Sequence, residues 1–320
     1  MSAPATGDIP LEVIGHERTA DDVVVLTLAH RDRAPLPLWQ PGAHIDLFLP
    51  GGDIRQYSLC SDPADRAVWR LGVLREEEGR GGSRWIADDL RVGDAITAAG
   101  PRSHFPFDPS SPRPAVLVAG GIGITPILAM ASAAQQAGRD YELHYAGHRG
   151  RMGFLDELRD RHGDRLVAHV TEEGTRLDLT ALADGAATAG AELVCCGPTR
   201  LIDALTAEAE RTGIPLTVEH FEPAELTVPV WHETFEVELA LSGLTIEVGP
   251  DQSVLSAIED AGVLVLSSCT EGTCGTCETP VLSGEVDHRD SILSPAQRAR
   301  NDLMFVCVSR AACPRLVLDL

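Results

Sequence analysis

The side chains that reveal most about this chain are four cysteines in its last quarter. Cys269, Cys274 and Cys277 form the pattern C-x4-C-x2-C, and Cys307 follows further along the chain. Thiolates at this spacing are typical ligands of a plant-type 2Fe–2S cluster. A structural zinc site is the main alternative, but such sites usually use two C-x2-C hooks, and only Cys274 and Cys277 form one here. The pattern therefore predicts a one-electron carrier.

The other cysteines show no disulfide framework. We expect Cys60 and Cys313 to be packing residues, and Cys195 and Cys196 lie in a predicted strand. A reducing cytoplasm suits this usage. The start of the chain, Met1 to Pro10, has neither the charged beginning nor the apolar core of a secretory leader. No apolar run approaches the ~20 residues of a membrane span.

Charge and composition exclude several classes of partner. The chain has 320 residues, a net charge of −22 and 44% hydrophobic residues, as in a soluble protein of two or three domains. Such an acidic chain is not expected to bind nucleic acid or an anionic membrane. All 26 basic residues are arginines. Any phosphate held by a cationic side chain is therefore held by arginine, which favours bidentate contacts.

The first block of the chain, Leu11 to about Ala99, has the short alternating apolar runs of a β-sandwich or barrel. One helix is predicted within it at Ser83–Leu90, with Ser83 as N-cap. The predicted strands are Asp22–Ala29, Ala43–Leu49, Arg55–Leu59 and Val68–Leu74.

Strands and helices alternate in the second block, Pro114 to about Glu219, which is typical of a parallel α/β sheet. The predicted strands are Ala115–Ala119, Glu142–Ala146, Leu166–Val170 and Glu192–Cys196, and the predicted helices are Pro126–Gln136 and Leu201–Glu210. The first strand runs through a glycine-rich turn into a helix, which suits either a pyrophosphate site or an ordinary tight turn. A second strand ends in Cys196-Gly197-Pro198, and two such strand ends predict a ligand crevice.

The third block follows an extended linker, Pro223–Glu233. Its predicted elements are a hairpin at Phe235–Val248 turning at Ser242-Gly243, a helix at Ser253–Asp260, a helix opened by Ser294-Pro295, and strands holding Cys307 and Arg315–Leu320.

Two further segments of the first block could bind phosphate. Arg55 could pair with a phosphate group, and Gly81, Gly82 and Ser83 lie at a predicted helix N-terminus. Taken alone, the first segment is better explained as a strand with a surface arginine and the second as an ordinary N-capped helix.

Together these motifs resemble the phthalate dioxygenase reductase family, which includes vanillate demethylase reductases, and the reductase portion of self-sufficient haem-thiolate monooxygenases. The resemblance covers roughly residues 11–320. It implies a six-stranded antiparallel FMN-binding β-barrel (residues 1–110), an α/β nucleotide-binding domain (111–225), a linker (226–233) and a β-grasp 2Fe–2S ferredoxin domain (234–320). The motifs that carry it are Arg55-Gln56-Tyr57-Ser58, Gly81-Gly82-Ser83, Gly120-Gly121-Ile122-Gly123-Ile124-Thr125-Pro126, Cys196-Gly197-Pro198, His220-Phe221-Glu222 and the cysteine loop.

The resemblance also implies roles for single residues. Arg55 and Ser83 would hold the FMN phosphate together with the backbone of Gly81 and Gly82. Tyr57 would pack on the flavin beside Gln56, Ser58 would lie near the reactive flavin edge, Thr125 would stand at the nucleotide–flavin junction, Cys196 would lie by the nicotinamide and Phe221 against the flavin ring. Gly120, Gly121, Gly123, Pro126, Gly197 and Pro198 would complete the nucleotide site. Catalysis would then rest on Ser58, Thr125 and Cys196.

The implied function is an NAD(P)H-dependent reductase. A nicotinamide gives up two electrons together and a 2Fe–2S cluster takes one, so a flavin stands between them. The implied partner is a terminal oxygenase, either a Rieske non-haem iron or a haem-thiolate enzyme, and a monomer is expected. A free-standing reductase of diffusible acceptors and a redox-sensing iron–sulfur protein are the alternatives.

Two further expectations concern specificity. After the second strand of the nucleotide domain the chain has Arg149 and Arg151 and no carboxylate, which favours tolerance of NADPH, whereas many members of the resembling family use NADH. Residues 234–320 contain 13 acidic side chains and five arginines, a net charge of −8. Glu271 and Glu278 flank the cysteine loop, so a basic face is expected on the oxygenase.

Overall fold

The computed structural model describes residues 8–320, and the chain divides into two compact units, one ending at Phe221 and one spanning Glu222–Leu320. The expectation that no secretory leader opens the chain rests largely on residues 1–7, which lie outside the described residues. No helix within residues 8–320 is long and apolar enough to cross a membrane.

The first unit begins with a six-stranded antiparallel sheet in the order β4-β3-β6-β1-β2-β5. An antiparallel bridge between Leu59 and Leu71 joins the two edges. The sheet therefore closes into the predicted barrel, whose fully buried side chains include Leu26, Ile45 and Trp69. Its strands are β1 Ile9–Ala20, β2 Val23–His30, β3 His44–Phe48, β4 Ile54–Ser58, β5 Trp69–Leu74 and β6 Ala95–Arg102.

The helix that interrupts the barrel, α1, spans Gly82–Asp88. The prediction that Ser83 caps it was wrong, because Gly81 occupies the N-cap with φ 93° and Ser83 lies inside the first turn. A left-handed N-cap strongly favours glycine. The Ser83 hydroxyl instead accepts a hydrogen bond from the Glu76 N–H at 3.2 Å.

A five-stranded parallel sheet forms the rest of the first unit, in the order β11-β10-β7-β8-β9. The central strand β7 is flanked by β8 on one side and β10 on the other. The crevice of a doubly wound sheet lies at this switch point, outside the carboxyl ends of the strands. The elements are β7 Ala115–Gly120, α2 Ile124–Ala137, β8 Tyr141–Gly147, α3 Leu155–His162, β9 Leu166–Val170, α4 Leu179–Ala189, β10 Glu192–Cys196, α5 Thr199–Thr212 and β11 Leu216–Glu219.

Polar and apolar contacts hold the barrel against the parallel sheet domain. Arg70 of β5 donates two hydrogen bonds of 2.9 Å to the Glu157 carboxylate of α3. Its guanidinium lies 5.6 Å from the centre of the Phe154 ring. A bidentate pair of this kind fixes orientation as well as distance, so the two halves of the unit are held in register.

The second unit has a mixed sheet in the order β13-β12-β18-β14-β16, in which β12 runs parallel to β18. This is the predicted β-grasp arrangement, and the predicted hairpin turn before Leu244 is confirmed. Cys307, however, was wrongly predicted to lie on a strand, because it lies in a turn after β16. The elements are β12 Phe235–Leu239, β13 Leu244–Val248, α6 Val254–Asp260, β14 Glu278–Ser283, β15 Val286–Asp287, α7 Pro295–Arg298, β16 Leu303–Phe305, β17 Arg310–Ala311 and β18 Arg315–Leu318.

Candidate cofactor sites

The barrel brings Arg55 against the start of α1. The Arg55 side chain is only 14% exposed, and it donates to the Ile54 carbonyl at 2.8 Å and to Asp53 at 3.3 Å. A Cβ on Gly82 would lie 3.1 Å from the Arg55 side chain and 2.8 Å from Leu49. The absence of a side chain at Gly82 thus creates a cradle between the guanidinium and the helix start.

No side chain caps the N-terminus of α1. Its first N–H groups are therefore free of intrahelical and capping partners. Together with the neighbouring Arg55 they make a donor set that suits a phosphate. Arg55, Gly81, Gly82 and Ser83, predicted as one group, do lie together.

The rest of β4 alternates between the barrel core and a polar layer. Tyr57 packs against the core, and burial raises the pKa of its hydroxyl, with Arg55 acting in the opposite direction. Gln56 donates to the Asp46 carboxylate at 2.9 Å, and Arg102 pairs with the same carboxylate. Ser58 is buried. The sequence reading missed Asp46 and Arg102, which fix Gln56.

At the crevice of the parallel sheet, the backbone of the loop after β7 packs directly against the backbone of the loop after β10. A Cβ on Gly123 would lie 2.3 Å from the Cys196 carbonyl oxygen, and one on Gly197 would lie 3.0 Å from the Gly120 backbone. Only glycines allow the loops after β7 and β10 to meet this closely. Gly120, Gly121, Gly123, Cys196, Gly197 and Pro198, predicted from two distant segments, therefore form one edge.

Thr125 lies where the crevice meets the barrel. It is 2% exposed, and its hydroxyl donates to the Ile122 carbonyl at 3.1 Å. A Cβ on Gly72 of β5 would lie 2.6 Å from the Thr125 methyl group. Thr125 and the buried Pro126 thus occupy the junction between the two folds of this unit.

At the same edge Cys196 has an acidic neighbour that the sequence reading missed. Cys196 is opposite Glu219 in the parallel register, and their Sγ and Oε2 atoms lie 4.0 Å apart. Burial raises the pKa of Glu219 to about 8, and it also raises the pKa of the Cys196 thiol. Phe221, two residues beyond Glu219, is 39% exposed.

The predicted selectivity segment after β8 has no carboxylate of its own, but the residues that follow β9 bring two carboxylates to it. Glu172 accepts hydrogen bonds from the Arg149 backbone at 3.0 Å and from His148 at 3.1 Å. Glu173 pairs with the Arg149 guanidinium. Arg151 pairs with Asp22 of the barrel at 3.2 Å. Each of the two arginines therefore already forms an ion pair within the chain.

The four predicted iron ligands converge in the second unit. Cys269, Cys274, Cys277 and Cys307 are all at most 8% exposed. Hydrogen bonds from Cys274 and Cys307 lower the pKa of the Cys269 thiol, and Cys277 and Cys307 are also hydrogen-bonded to each other. The sulfurs thus follow one another as a string, in the order 274, 269, 307, 277.

The surroundings of the four cysteines suit a 2Fe–2S cluster. No three His, Cys, Asp or Glu side chains in residues 8–320 surround a point that one metal ion could occupy. The Glu271 N–H donates to the Cys269 sulfur at 3.4 Å, and Cys274 hydrogen-bonds to Thr276 at 3.2 Å. Buried thiols with hydrogen-bond donors beside them are the surroundings in which 2Fe–2S clusters are held, so the residues present fit the group.

Comparison with known proteins identifies the family of this chain. Residues 237–312 match the family model of the 2Fe-2S iron-sulfur cluster binding domain. The chain is 43% identical to the phenoxybenzoate dioxygenase subunit beta of Ectopseudomonas oleovorans, with 100% of both chains covered. It also aligns with the solved phthalate dioxygenase reductase, at 35% identity, a TM-score of 0.69 and 98% coverage of each chain. The chain belongs to the phthalate dioxygenase reductase family.

This chain is also similar to one part of a longer protein. An intact type IV self-sufficient cytochrome P450 monooxygenase matches with a TM-score of 0.88 and 44% identity over 98% of this chain. The reductase covers 41% of that protein.

Proposed function

We propose that this reductase takes electrons as hydride from NADH or NADPH and passes them through FMN and a 2Fe–2S cluster to a terminal oxygenase. The observation that carries the proposal is that one chain contains both a crevice built on β7 and β10 and four buried cysteines that converge in the second unit. The solved relative is described as a modular structure for electron transfer from pyridine nucleotides to a 2Fe–2S centre.

In this proposal the barrel holds FMN. Arg55 and the first N–H groups of α1 bind its phosphate, with the Ser83 hydroxyl beside them. Tyr57 packs against the flavin, and Gln56 is held by Asp46 so that its amide keeps one orientation. Ser58 supports the reactive edge of the ring.

The parallel sheet domain binds and aligns the nicotinamide nucleotide. The N-terminus of α2, which follows the glycine-rich turn after β7, binds the pyrophosphate. Cys196 and Thr125 orient the nicotinamide at the barrel junction, and Phe221 covers the flavin face. Most of the rate enhancement then comes from positioning.

Bound FMN and the cluster supply the chemistry of converting a two-electron donor into one-electron steps. The protein's own contribution is to hold each group. Cys269, Cys274, Cys277 and Cys307 ligate the irons, and their burial excludes water from the cluster.

The partner is proposed to be a Rieske non-haem iron or a haem-thiolate oxygenase, because the relatives include a dioxygenase subunit and a P450 monooxygenase. All eight cysteines are free thiols, including the half-exposed Cys313. This supports a cytoplasmic location. A monomer is proposed as the working state.

The test is the visible spectrum of the purified protein, with iron, sulfide and flavin analysis. We expect about one FMN and two irons per chain, and bleaching of both chromophores when NADH or NADPH is added without oxygen. A protein that contains FAD, or whose iron chromophore is unaffected by either nucleotide, would refute the proposal.

A further inference from the structure

Two leucines just before the cluster loop are exposed to an unusual degree. Leu264 is 94% exposed and Leu266 is 79% exposed. They lie in an extended segment, residues 263–267, that belongs to no strand. Their neighbours Val263 and Val265 pack against the core of the second unit. The segment therefore alternates, with valines inward and both leucines on its outer face.

The outer face of this segment lies close to an iron ligand. Single exposed leucines are common on protein surfaces, but these two share a face, and Leu266 lies three residues before the iron ligand Cys269. Three residues of chain reach roughly 10 Å at most. An apolar patch therefore lies directly beside the proposed point of electron exit.

Acidic side chains flank the patch along the chain. Glu259 and Asp260 end α6 shortly before the segment, and Glu278 follows the ligand Cys277; all three are exposed. The net charge of residues 234–320 is −8. An apolar centre with a charged rim is the usual anatomy of a specific protein interface, and an acidic rim selects a basic partner.

We propose that Leu264 and Leu266 form the apolar centre of the surface on which the terminal oxygenase docks, and that the oxygenase presents an apolar socket edged by arginine or lysine. This inference rests on the proposed function. In this proposal the acidic side chains steer the oxygenase and fix its register, and the leucines lengthen the lifetime of the complex.

The test uses the holoprotein and cytochrome c, a basic haem protein that accepts one electron. We compare the wild type with the double variant Leu264→Ser/Leu266→Ser and with Leu241→Ser, a control whose leucine is 76% exposed at the β12–β13 turn. Burying a leucine in an interface stabilises by about 1.5–3 kcal/mol. The double variant should therefore raise the KM for cytochrome c at least tenfold, and Leu241→Ser should leave it unchanged.

Three controls keep the outcomes distinct. Iron content, the rate of ferricyanide reduction and bleaching of the cluster by NADH should be the same in all three proteins. An unchanged KM in the double variant overturns the proposal. Loss of cluster bleaching in that variant would show that the leucines act in electron transfer from the chain's own flavin-binding unit. A wild-type dimer that the substitutions dissociate would show that the leucines bind a second copy. Either result also overturns the proposal. If wild-type protein itself fails to bleach with nucleotide, the proposed function has failed instead.

Discussion

The cluster loop and the nucleotide crevice are built in opposite ways. Three of the four iron ligands lie within Cys269–Cys277, and all four side chains would bind the metal directly. The crevice has no such segment. Its parts come from the ends of β7, β8, β9, β10 and β11, and much of its surface is backbone made accessible by glycines such as Gly123.

This difference teaches how each region should respond to substitution. A cluster is held by a few strong bonds, so loss of one ligand removes the whole group. A nucleotide or flavin is held by many weaker contacts, each worth about 0.5–3 kcal/mol. Substitutions there should give graded losses and altered selectivity.

The largest effect is expected at the cluster. Cys274→Ser should abolish the iron chromophore and reduce iron and sulfide to trace amounts, while FMN stays bound, because the barrel has its own core. Cys313→Ser is the matched control and should retain the cluster, since Cys313 packs against the Glu285 backbone instead. Full iron content in the Cys274 variant would show that the ligand assignment is wrong.

Arg55→Ala should weaken FMN binding roughly ten- to a hundredfold. A hydrogen bond to a charged group contributes about 1.5–3 kcal/mol. Equilibrium dialysis of the apoprotein measures this loss, with Arg33→Ala, an exposed barrel arginine, as control. Ser83→Ala should have a smaller effect. Undiminished FMN affinity in the Arg55 variant would move the phosphate site elsewhere.

A smaller change is expected in nucleotide choice. Glu172 and Glu173 place negative charge beside Arg149, in the segment proposed to face the ribose 2′ position, so the wild type should prefer NADH. Glu173→Gln frees the Arg149 guanidinium and should raise kcat/KM for NADPH roughly two- to fivefold, the range of a surface ion pair. The exposed Glu210 supplies a control, Glu210→Gln. An unchanged kcat/KM for NADPH in Glu173→Gln would show that Arg149 does not face the 2′-phosphate.

A separate prediction concerns how stability depends on pH. Because burial raises the pKa of Glu219 to about 8, from an ordinary value of 4.5, the folded state holds this proton more tightly than the unfolded state. Stability should therefore fall as pH rises from about 4.5 to 8 and then level off. Glu219→Gln lacks this titration. The Tm of the variant minus that of the wild type should therefore increase as pH rises through this range, by roughly 2–4 °C for each kcal/mol of stability that the wild type loses. A constant Tm difference would contradict the shifted pKa.

The sequence revealed the local parts of this molecule better than the assembled ones. The strand Leu166–Val170 and the helix Val254–Asp260 follow from nearby residues, and both were predicted to within one residue. The long strand β1 was missed, because its second half is largely exposed and lacks a clear apolar alternation. Glu219 and Glu173 were missed because only the parallel sheet brings their strand ends beside Cys196 and Arg149.

The same limit explains the error at Ser83. Serine is a common N-cap, and the sequence alone does not show that Gly81 takes the left-handed conformation that displaces it. The grouping of Arg55 with Gly82 was nevertheless predicted through the resemblance, which preserves long-range information that residue patterns lack.

The most direct test of the account is a stopped-flow experiment on Cys274→Ser and the wild type. Each is mixed with NADH, first without oxygen to follow flavin bleaching, then with cytochrome c as acceptor. The account predicts that the flavin bleaches at the wild-type rate in the variant while cytochrome c reduction falls by orders of magnitude. Equal cytochrome c reduction in the two proteins would contradict it, because electrons would then leave the chain without passing through the cluster.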